Sequence, residues 1–325
     1  MEISNIIIGL ITIIGVPLIL GIYIFLSEKT VSKFSQKRRK KILPWLWLAP
    51  AIFLLIVFLI YPVVNTFLLS LMNSDSTEFI GIKNYIYIFT DDNMLIALRN
   101  NLIWVIFFTL IVVTMGIVFA VLADRVRYEV IAKAVIFLPA AISFVAAGVI
   151  WKFMYAYKPK GKPQIGTINA ILTSIIPDFE PQAWLFNPVF NNWALIIVGI
   201  WIWVGFAMII FSASLKGISP SLLDAARIDG ANEFTIFFRI ILPLMMRTIT
   251  VVVTTLIITV LKVFDIVYVM TNGNLYTEVI ANRMYKEMFS FRNFGRASAI
   301  ATFLLFAIIP IMIINIKRFS GVKKS

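Results

Sequence analysis

The sequence predicts an all-α, polytopic helical membrane protein, and three observations lead to this fold class. Hydrophobic residues make up 61% of the 325 residues and charged residues only 14%. The mean hydropathy is +0.95, and a soluble domain would carry roughly 25% charged residues. The apolar residues also fall in separate blocks of about 20 or more, which is the length a helix needs to cross a bilayer.

Seven apolar blocks are long enough to be spanning helices. They are 5–26, 45–72, 98–123, 134–157, 192–215, 244–271 and 295–316. The first block is unlike a signal peptide, because no basic region precedes it, its apolar core is too long and no A-x-A site follows. We therefore expect an extra N-terminal spanning helix that stays in the membrane.

Lys and Arg are distributed unevenly between the two sets of connecting segments. The segments 28–43, 124–133, 216–247 and 317–325 contain 7, 3, 4 and 4 of them, whereas 73–99, 152–190 and 272–296 contain 2, 4 and 4. Basic residues concentrate on the cytoplasmic side, which predicts an N-terminus outside and a C-terminus in the cytoplasm. The basic run 33–41 is interpreted as a topology anchor on anionic headgroups rather than a nucleic-acid site.

Composition excludes several kinds of chemistry. The chain has 0 Cys and 0 His, which removes disulfides, thiol catalysis, Cys-ligated metals and the commonest general base. It also lacks a G-x-x-x-x-G-K-[ST] phosphate loop. We therefore predict a chain without catalytic residues, bound metal or a cofactor of its own.

Two segments on the predicted outer side are more than simple turns. Residues 73–96 contain FIGIKNYIYIF, which predicts a short interfacial helix with Tyr85 and Tyr87 at headgroup depth. Residues 158–190 contain five Pro, which predicts an irregular but structured excursion, interpreted as a docking rim.

A charged, patterned segment on the predicted cytoplasmic side begins at Ser219. Ser219-Pro220 is a typical helix opening, with Ser as N-cap and Pro at the first helical position. Asp224 would lie near the positive end of that helix, and Gly230 would end it in the left-handed conformation. A second helix is predicted from near Asn232 up to Pro243.

This helix has two possible roles on physical grounds. The small residues Ala225 and Ala226 would permit close approach of another surface. The charges of Asp224, Arg227 and Asp229 would then fix its register by electrostatic complementarity. The alternative is an ordinary interfacial helix that packs on lipid and on neighbouring spans.

The spacing in this segment resembles that of a known family. Permeases of binding-protein-dependent ABC importers carry E-A-A, three residues, Gly, nine residues and I-x-L-P. Here the pattern is Asp224-Ala225-Ala226, Gly230-Ala231 and Ile240-Ile241-Leu242-Pro243, with Asp in place of Glu. Further segments resemble the sugar-permease subgroup, and they are EFIGIKNYIYIF, AKAVIFLPAAISFVAAGVIWKFMY, GTINAIL and KVFDIVYVMTNG. In detail, ANRMYKEMFSFRNFGRASAIA looks most like permeases for α-glucosides, glucosylglycerol and related osmolytes.

The resemblance implies a type I ABC importer transmembrane fold and a transport role. Helix 220–229 would be the coupling helix, seated in a groove of a cytoplasmic ATPase dimer that binds ATP and Mg. A second homologous permease chain and a sugar-binding protein outside the membrane would complete the importer, in a bacterial or archaeal inner or plasma membrane. The coupling residues would be Asp224, Ala225, Ala226, Arg227, Asp229, Gly230, Ala231, Leu242 and Pro243.

The resemblance also divides the chain into three parts. These are 1–43, an N-terminal helix and basic linker; 44–318, the permease core with six spans, a coupling loop 216–243 and outer segments 73–96 and 158–190; and 319–325, a basic tail.

Polar and aromatic residues within the spans are candidates for the substrate pathway. They are Ser143, Trp201, Trp203, Gly205, Thr255, Thr259, Lys262 and Asp265. Lys262 and Asp265 are three apart and can pair on one helix face, either to position helices or to bind ligand. The Trp residues fit an interfacial belt as well as a ligand, Gly205 fits close packing, and the Ser143 hydroxyl fits a bond to its own helix.

Two other classes of function compete with a permease subunit. An ion-coupled secondary transporter would need coupling-ion groups and often inverted repeats, and it leaves the 224–243 pattern unexplained. An intramembrane enzyme would need facing carboxylates or a Ser nucleophile, and no paired carboxylates occur within the predicted spans. The sequence favours the permease.

Overall fold

The computed structural model describes residues 2–320 and the side chains of residues 14, 15 and 17–313. Within these residues no strand forms, and the β pairing consists of one isolated antiparallel bridge between Met72 and Phe79. The backbone divides into two compact units, residues up to 66 and residues from 67 onward. The boundary near 43 that the sequence suggests stays a prediction.

The first unit contains helix α1, Glu2–Val31, and most of helix α2, Gln36–Ser70. The Tyr23 hydroxyl donates a hydrogen bond of 2.7 Å to the Leu46 carbonyl and links the two helices. Helix α1 covers the predicted first span, 5–26, but the side chains up to residue 13 lie outside the described ones. An extra spanning helix at the N-terminus therefore stays a prediction.

The second unit contains the remaining helices. They are α3 Lys83–Thr90, α4 Asp92–Ala123, α5 Glu129–Ala141, α6 Phe144–Met154, α7 Thr167–Ile175, α8 Asn191–Lys216, α9 Pro220–Ile228, α10 Glu233–Leu261, α11 Asp265–Met270, α12 at 280–290 and α13 Phe294–Ser320. Of the described helices, α2, α4, α8, α10 and α13 are long and apolar enough to cross a membrane, and the number becomes six when the bent pair α5 and α6 is counted as one span. These agree with the predicted spans from 45 onward in number and order.

Helix α8 lies at the centre of the second unit because small residues let its neighbours approach closely. A Cβ on Gly116 of α4 would lie 2.7 Å from the Ala207 Cβ, and a Cβ on Gly199 would lie 2.9 Å from the Trp104 ring. Small residues at such crossings permit the close backbone contact on which helix association in membranes depends. The main core therefore forms around α8, with α4 packed along it.

The predicted span 134–157 contains a sharp bend and is not one continuous helix. Helices α5 and α6 meet at an angle of 101°, after a turn of 3-10 helix at Leu138–Ala141 that contains the buried Pro139. Ser143 then caps α6, and its hydroxyl oxygen accepts a hydrogen bond of 3.2 Å from the Ala146 amide. Pro cannot continue the helical hydrogen bonds, and a capped restart redirects the chain.

The predicted span 244–271 is also wrong in its bounds. Helix α10 starts at Glu233, runs without interruption through Pro243 and ends at Leu261, and α11 starts again at Asp265. A π-helical segment at Phe237–Ile241 is followed by Leu242 and then Pro243, and π-turns and Pro are each known to bend a helix without ending it. The second helix of the cytoplasmic segment and the following span are thus one helix.

The outer segments contain the expected short helices. Segment 158–190 contains α7, and segment 73–96 contains α3. The placement of Tyr85 and Tyr87 at headgroup depth stays a prediction, and both hydroxyls have protein partners. Tyr85 is 2.6 Å from the Ser70 hydroxyl, and Tyr87 donates a hydrogen bond of 2.7 Å to Glu287. Burial, together with the Glu287 bond, raises the pKa of Tyr87 above its ordinary value.

Candidate functional site

The capped helix predicted on the cytoplasmic side is α9, and its C-terminal end has the expected geometry. Gly230 has a φ of +82°. Its amide donates to the Arg227 carbonyl and the Ala231 amide donates to the Ala226 carbonyl, both at 3.0 Å. This pair of bonds defines a Schellman motif, for which a left-handed Gly is the preferred residue.

The N-terminal end of α9 differs from the prediction in one respect. Pro220 occupies the first helical position as expected, but the Ser219 side chain caps no backbone amide among the described residues. Its hydroxyl instead lies 2.7 Å from the Ser221 hydroxyl. The following helix is capped as predicted, since the Asn232 side chain accepts a hydrogen bond of 2.8 Å from the Thr235 amide.

An ion network ties α9 to its surroundings. Arg227 donates hydrogen bonds to Asp224 at 2.8 Å and to Glu233 at 2.9 Å. The bonds to Glu233 and then to Asp224 hold the pKa of Arg227 above its ordinary value. Arg125, from the α4–α5 connection, lies 3.9 Å from Glu233. The predicted charges of Asp224 and Arg227 therefore satisfy each other within the loop.

Helix α9 exposes apolar side chains. None of the described α9 side chains is buried. Ile228 is 86% exposed and Phe234, just beyond the turn, is 79% exposed. Clustered exposed apolar residues of this kind mark protein interaction surfaces. Of the predicted coupling residues, Ala225, Asp229 and Gly230 are exposed, and Ala226 and Ala231 are half-buried on this part of the loop.

Leu242 and Pro243, which complete the predicted coupling motif, lie in the body of α10. Leu242 packs against the main core, and Pro243 is exposed beside the π-helical segment. Both residues therefore lie where α10 passes from the cytoplasmic loop into the helix bundle.

A second ion cluster joins the predicted cytoplasmic ends of α4, α5 and α8. Lys133 binds Asp124 and Glu129, each at 2.5 Å, and also contacts the Ser212 hydroxyl. Lys216 binds Glu129 as well. Because Arg125 belongs to the same connection, segment 124–129 is attached both to α8 and to the start of α10.

A cavity of about 320 Å³ lies where the break after α10 faces α6 and α8. Aromatic rings form much of its wall, and a volume of this size is at the lower end of the range for small-molecule sites. Trp203 stacks on Phe144 with ring centroids 6.4 Å apart. Four of the predicted pathway residues line it: Trp203, Thr259, Lys262 and Asp265.

The predicted pairing of Lys262 with Asp265 on one helix face is wrong. The helix ends between them, because Lys262 is the C-cap of α10 and Asp265 begins α11. Among the described side chains no ion pair joins these two residues, and Lys262 is exposed. Their charges face the cavity region as separate polar groups, with Asp265 at the favourable N-terminal end of a helix.

The other predicted pathway residues make contacts within the helix bundle and do not line this cavity. Ser143 is the N-cap of α6, Trp201 packs edge-on against Trp151 at 5.7 Å, and the Thr255 hydroxyl donates to the Val251 carbonyl of its own helix. A Cβ on Gly205 would lie 2.4 Å from the Ile136 carbonyl oxygen. Gly205 therefore permits the close crossing of α5 and α8.

Buried Asn residues that the sequence analysis did not select hold the break after α10 in place. The Asn101 amide nitrogen donates to the carbonyls of Val260 and Leu261 at 3.3 and 3.4 Å, and its oxygen accepts from the Ile280 amide at 2.8 Å. Asn100 donates to two carbonyls of the following loop, Tyr276 and Glu278. The sequence did contain a signal for these residues, since two adjacent Asn stand at the start of the apolar block 98–123. Buried polar groups in spans need partners, so such a pair predicts hydrogen bonds to another part of the chain.

The matching protein family agrees with this architecture. Residues 113–317 match the family described as the inner membrane component of binding-protein-dependent transport systems. The match covers more than half of the chain, and the chain belongs to this family. It is therefore a permease subunit of an ABC importer and not an enzyme.

Two relatives match over almost the whole chain. The osmoprotective compounds uptake permease protein GgtC of Synechocystis is 54% identical over 279 residues, which cover 86% of this chain and 99% of the relative. The alpha-glucoside transport system permease protein AglF of Rhizobium meliloti is 46% identical over 289 residues, covering 89% and 85%.

A solved structure shares the fold. One chain of a bacterial ABC transporter that imports the acidic polysaccharide alginate superposes with a TM-score of 0.73 at 23% identity. The superposition covers 89% of this chain and 99% of the other. The type I importer fold expected from the sequence is therefore confirmed.

Proposed function

We propose that this chain carries an α-glucoside or a glucosylated osmolyte through the membrane as one permease half of an ATP-driven importer. The observation that carries this proposal is the cavity beside the break after α10, where aromatic walls meet the polar groups of Thr259, Lys262 and Asp265. Sugars need both hydrogen-bonding groups and apolar faces, and small-molecule sites typically combine the two. The names of the two nearly full-length relatives support the same substrate class.

The two broken helices suit an alternating-access mechanism. Backbone that is not helical is tolerated within a membrane only where it is buried in protein or lines a cavity. The α10 break lines the cavity, and Phe144 at the start of α6 contributes to the same wall. A rocking of the bundle would change access to the cavity without disturbing the long helices, which supports substrate passage at this point.

The coupling loop 216–243 supplies the mechanical connection in this proposal. Helix α9, with its exposed Ile228, would be seated in a groove of a cytoplasmic ATPase subunit, and the ATPase dimer would bind ATP and Mg. Ion pairs from Arg227 and Glu233 would pass the movement of α9 to α10 and to segment 124–129. Such linked charges orient surfaces more than they add stability.

The proposal includes the rest of the assembly and its orientation. A second homologous permease chain would complete the pathway, and a sugar-binding protein would dock on the outer segments 73–96 and 158–190. A structural neighbour in complex with a periplasmic binding protein supports such docking. The distribution of Lys and Arg supports an N-terminus outside and a C-terminus in the cytoplasm.

The experiment is uptake by the complete importer in proteoliposomes. The panel consists of α-linked disaccharides and glucosylglycerol, with ATP supplied on the ATPase side. Trp203→Phe and Trp201→Phe provide a matched pair, since both residues lie on α8 but Trp203 lines the cavity. We expect ATP-dependent uptake that Trp203→Phe reduces more strongly, by a factor that differs among sugars.

Two outcomes would contradict the proposal. Uptake that continues without the ATPase would favour the alternative of an ion-coupled secondary transporter. Equal effects of the two Trp substitutions on every sugar would remove the cavity from the pathway.

A further inference from the structure

Four aromatic rings form a continuous series that leads outward from the break after α10. Phe264 stacks on Tyr268 with centroids 5.1 Å apart, Tyr285 lies 5.2 Å from each of them, and Phe289 lies 4.8 Å from Tyr285. Phe264 lines the 320 Å³ cavity of the proposed pathway. The other three rings line a second cavity, of about 710 Å³, on the predicted outer side.

The outer end of this series is open rather than packed in a core. Tyr268 is 40% exposed and Phe289 is 66% exposed. Aromatic rings that serve only to fill a core are normally buried. The exposed faces of these two rings are therefore available to a ligand in the outer cavity.

Each charged side chain that lines the outer cavity already has an ion-pair partner. Lys286 binds Glu278 at 2.7 Å, and Arg283 binds Glu287 at 2.8 Å. Such internal pairing leaves little net charge to attract an ion, so the cavity suits a neutral ligand.

Neutral hydrogen-bonding groups of the outer cavity remain available. Asn272 and Asn274 are exposed on its wall, and among the described residues their side-chain amides make no hydrogen bond. The same loop is attached to α4 by the buried Asn100, whose amide donates hydrogen bonds to the Tyr276 and Glu278 carbonyls. These bonds restrict the loop backbone that carries the two amides. Amides beside aromatic faces are the combination that recognises a polyhydroxylated ring.

We infer that the outer cavity is a second carbohydrate subsite, from which the ring series Phe289–Tyr285–Tyr268–Phe264 guides a neutral sugar to the cavity beside Asp265. This inference rests on the proposed carbohydrate substrate and adds an entry site to it. Neighbouring ring centroids lie 4.8 to 5.2 Å apart, so the ring surfaces that are not covered by a neighbour follow one another closely, and a sugar can move along the series without losing all of its apolar contact.

Cysteine labelling tests the subsite directly, because the chain contains 0 Cys. Phe289→Cys places a unique thiol at the outer end of the series. Phe294→Cys is the matched control, since Phe294 is 42% exposed on the same predicted outer side, lies outside the proposed docking segments 73–96 and 158–190, and lines neither cavity. The rate of maleimide labelling of this chain is measured by mass spectrometry in the assembled importer, with and without a saturating α-disaccharide.

We expect the sugar to slow labelling at Phe289→Cys and to leave Phe294→Cys unchanged. In the uptake assay, Phe289→Ala should weaken apparent affinity by roughly 2- to 12-fold, the range of one aromatic contact, while Phe294→Ala should not.

Failure of the subsite is distinguishable from failure of the proposed function. If the unsubstituted importer takes up the sugar but labelling at Phe289→Cys does not respond, the subsite is rejected and the proposed function stands. Labelling at Phe289→Cys that is blocked before sugar is added shows that a partner chain covers the cavity, and this too rejects the subsite. No uptake of any panel sugar by the unsubstituted importer rejects the proposed substrate class, and the subsite with it.

Discussion

Replacement of Gly230 by Ala is the sharpest perturbation of the proposed coupling helix. Gly230 has a φ of +82°, and the Schellman motif that ends α9 depends on this conformation. The substitution adds one methyl group and changes neither charge nor the polar contacts of the loop.

The size of the effect follows from backbone conformation alone. A Cβ built on Gly230 meets no described atom within 4 Å, so no steric clash adds to the cost. An L-residue in the left-handed region is destabilised by about 1–2 kcal/mol. That range lowers the population of the native turn by roughly 5- to 30-fold relative to open alternatives.

The assay is sugar uptake and ATP hydrolysis measured together in proteoliposomes. We expect Gly230→Ala to lower the amount of sugar transported per ATP by up to the same factor. Thermal stability should change little, because none of the described α9 side chains is buried. Gly230→Asn should retain more coupling, since Asn tolerates the left-handed region.

Gly217→Ala is the control within the same loop. Gly217 has an ordinary right-handed φ of −76° and its Cβ would lie 3.4 Å from the Ser214 carbonyl oxygen, so we expect behaviour like the unsubstituted protein. Normal coupling in Gly230→Ala would refute the conformational reasoning. Equal losses for Ala and Asn at position 230 would show that any side chain there obstructs the partner.

Three further predictions concern other contacts. Gly205→Ala should lower the yield and the melting temperature of the folded protein, because its Cβ would lie 2.4 Å from a backbone oxygen of α5; an unchanged melting temperature would contradict this. Asn101→Ala should destabilise the protein by about 1–3 kcal/mol in denaturant unfolding, since buried carbonyls lose their donor, and a smaller loss would mean that water replaces the amide. Arg227→Gln should lower sugar transported per ATP without changing the melting temperature, because the ion pairs it breaks are exposed; an equal loss of stability and coupling would assign Arg227 to the fold.

Much of the coupling loop was predictable because its determinants are local. Pro220, Gly230 and Asn232 act on backbone groups within a few residues of themselves, so their pattern is sufficient to place both helices. The Ser219 cap was predicted by the same logic and was wrong, since its hydroxyl found another partner in Ser221. The exposure of Ile228 could be seen only in the tertiary structure, because it depends on whether distant parts of the chain pack over this residue.

The proposed substrate site was predictable only in part. Trp203, Thr259, Lys262 and Asp265 do line one cavity, as polar and aromatic residues within spans suggested. Trp201 is only two residues from Trp203 but packs against Trp151. Composition cannot separate such neighbours, because the direction of each side chain depends on the helices that pack against it.

The sequence by itself determined the helical membrane fold, the order of the spans from 45 onward and the position of the capped loop. In a bilayer each spanning segment must form its own backbone hydrogen bonds, so the length of an apolar block is enough to predict a spanning helix. Only the tertiary structure decided where two of those spans break. The carbonyls at the end of α10 are satisfied by Asn101, a residue 159 positions earlier in the chain, and a partner that distant leaves no local signal.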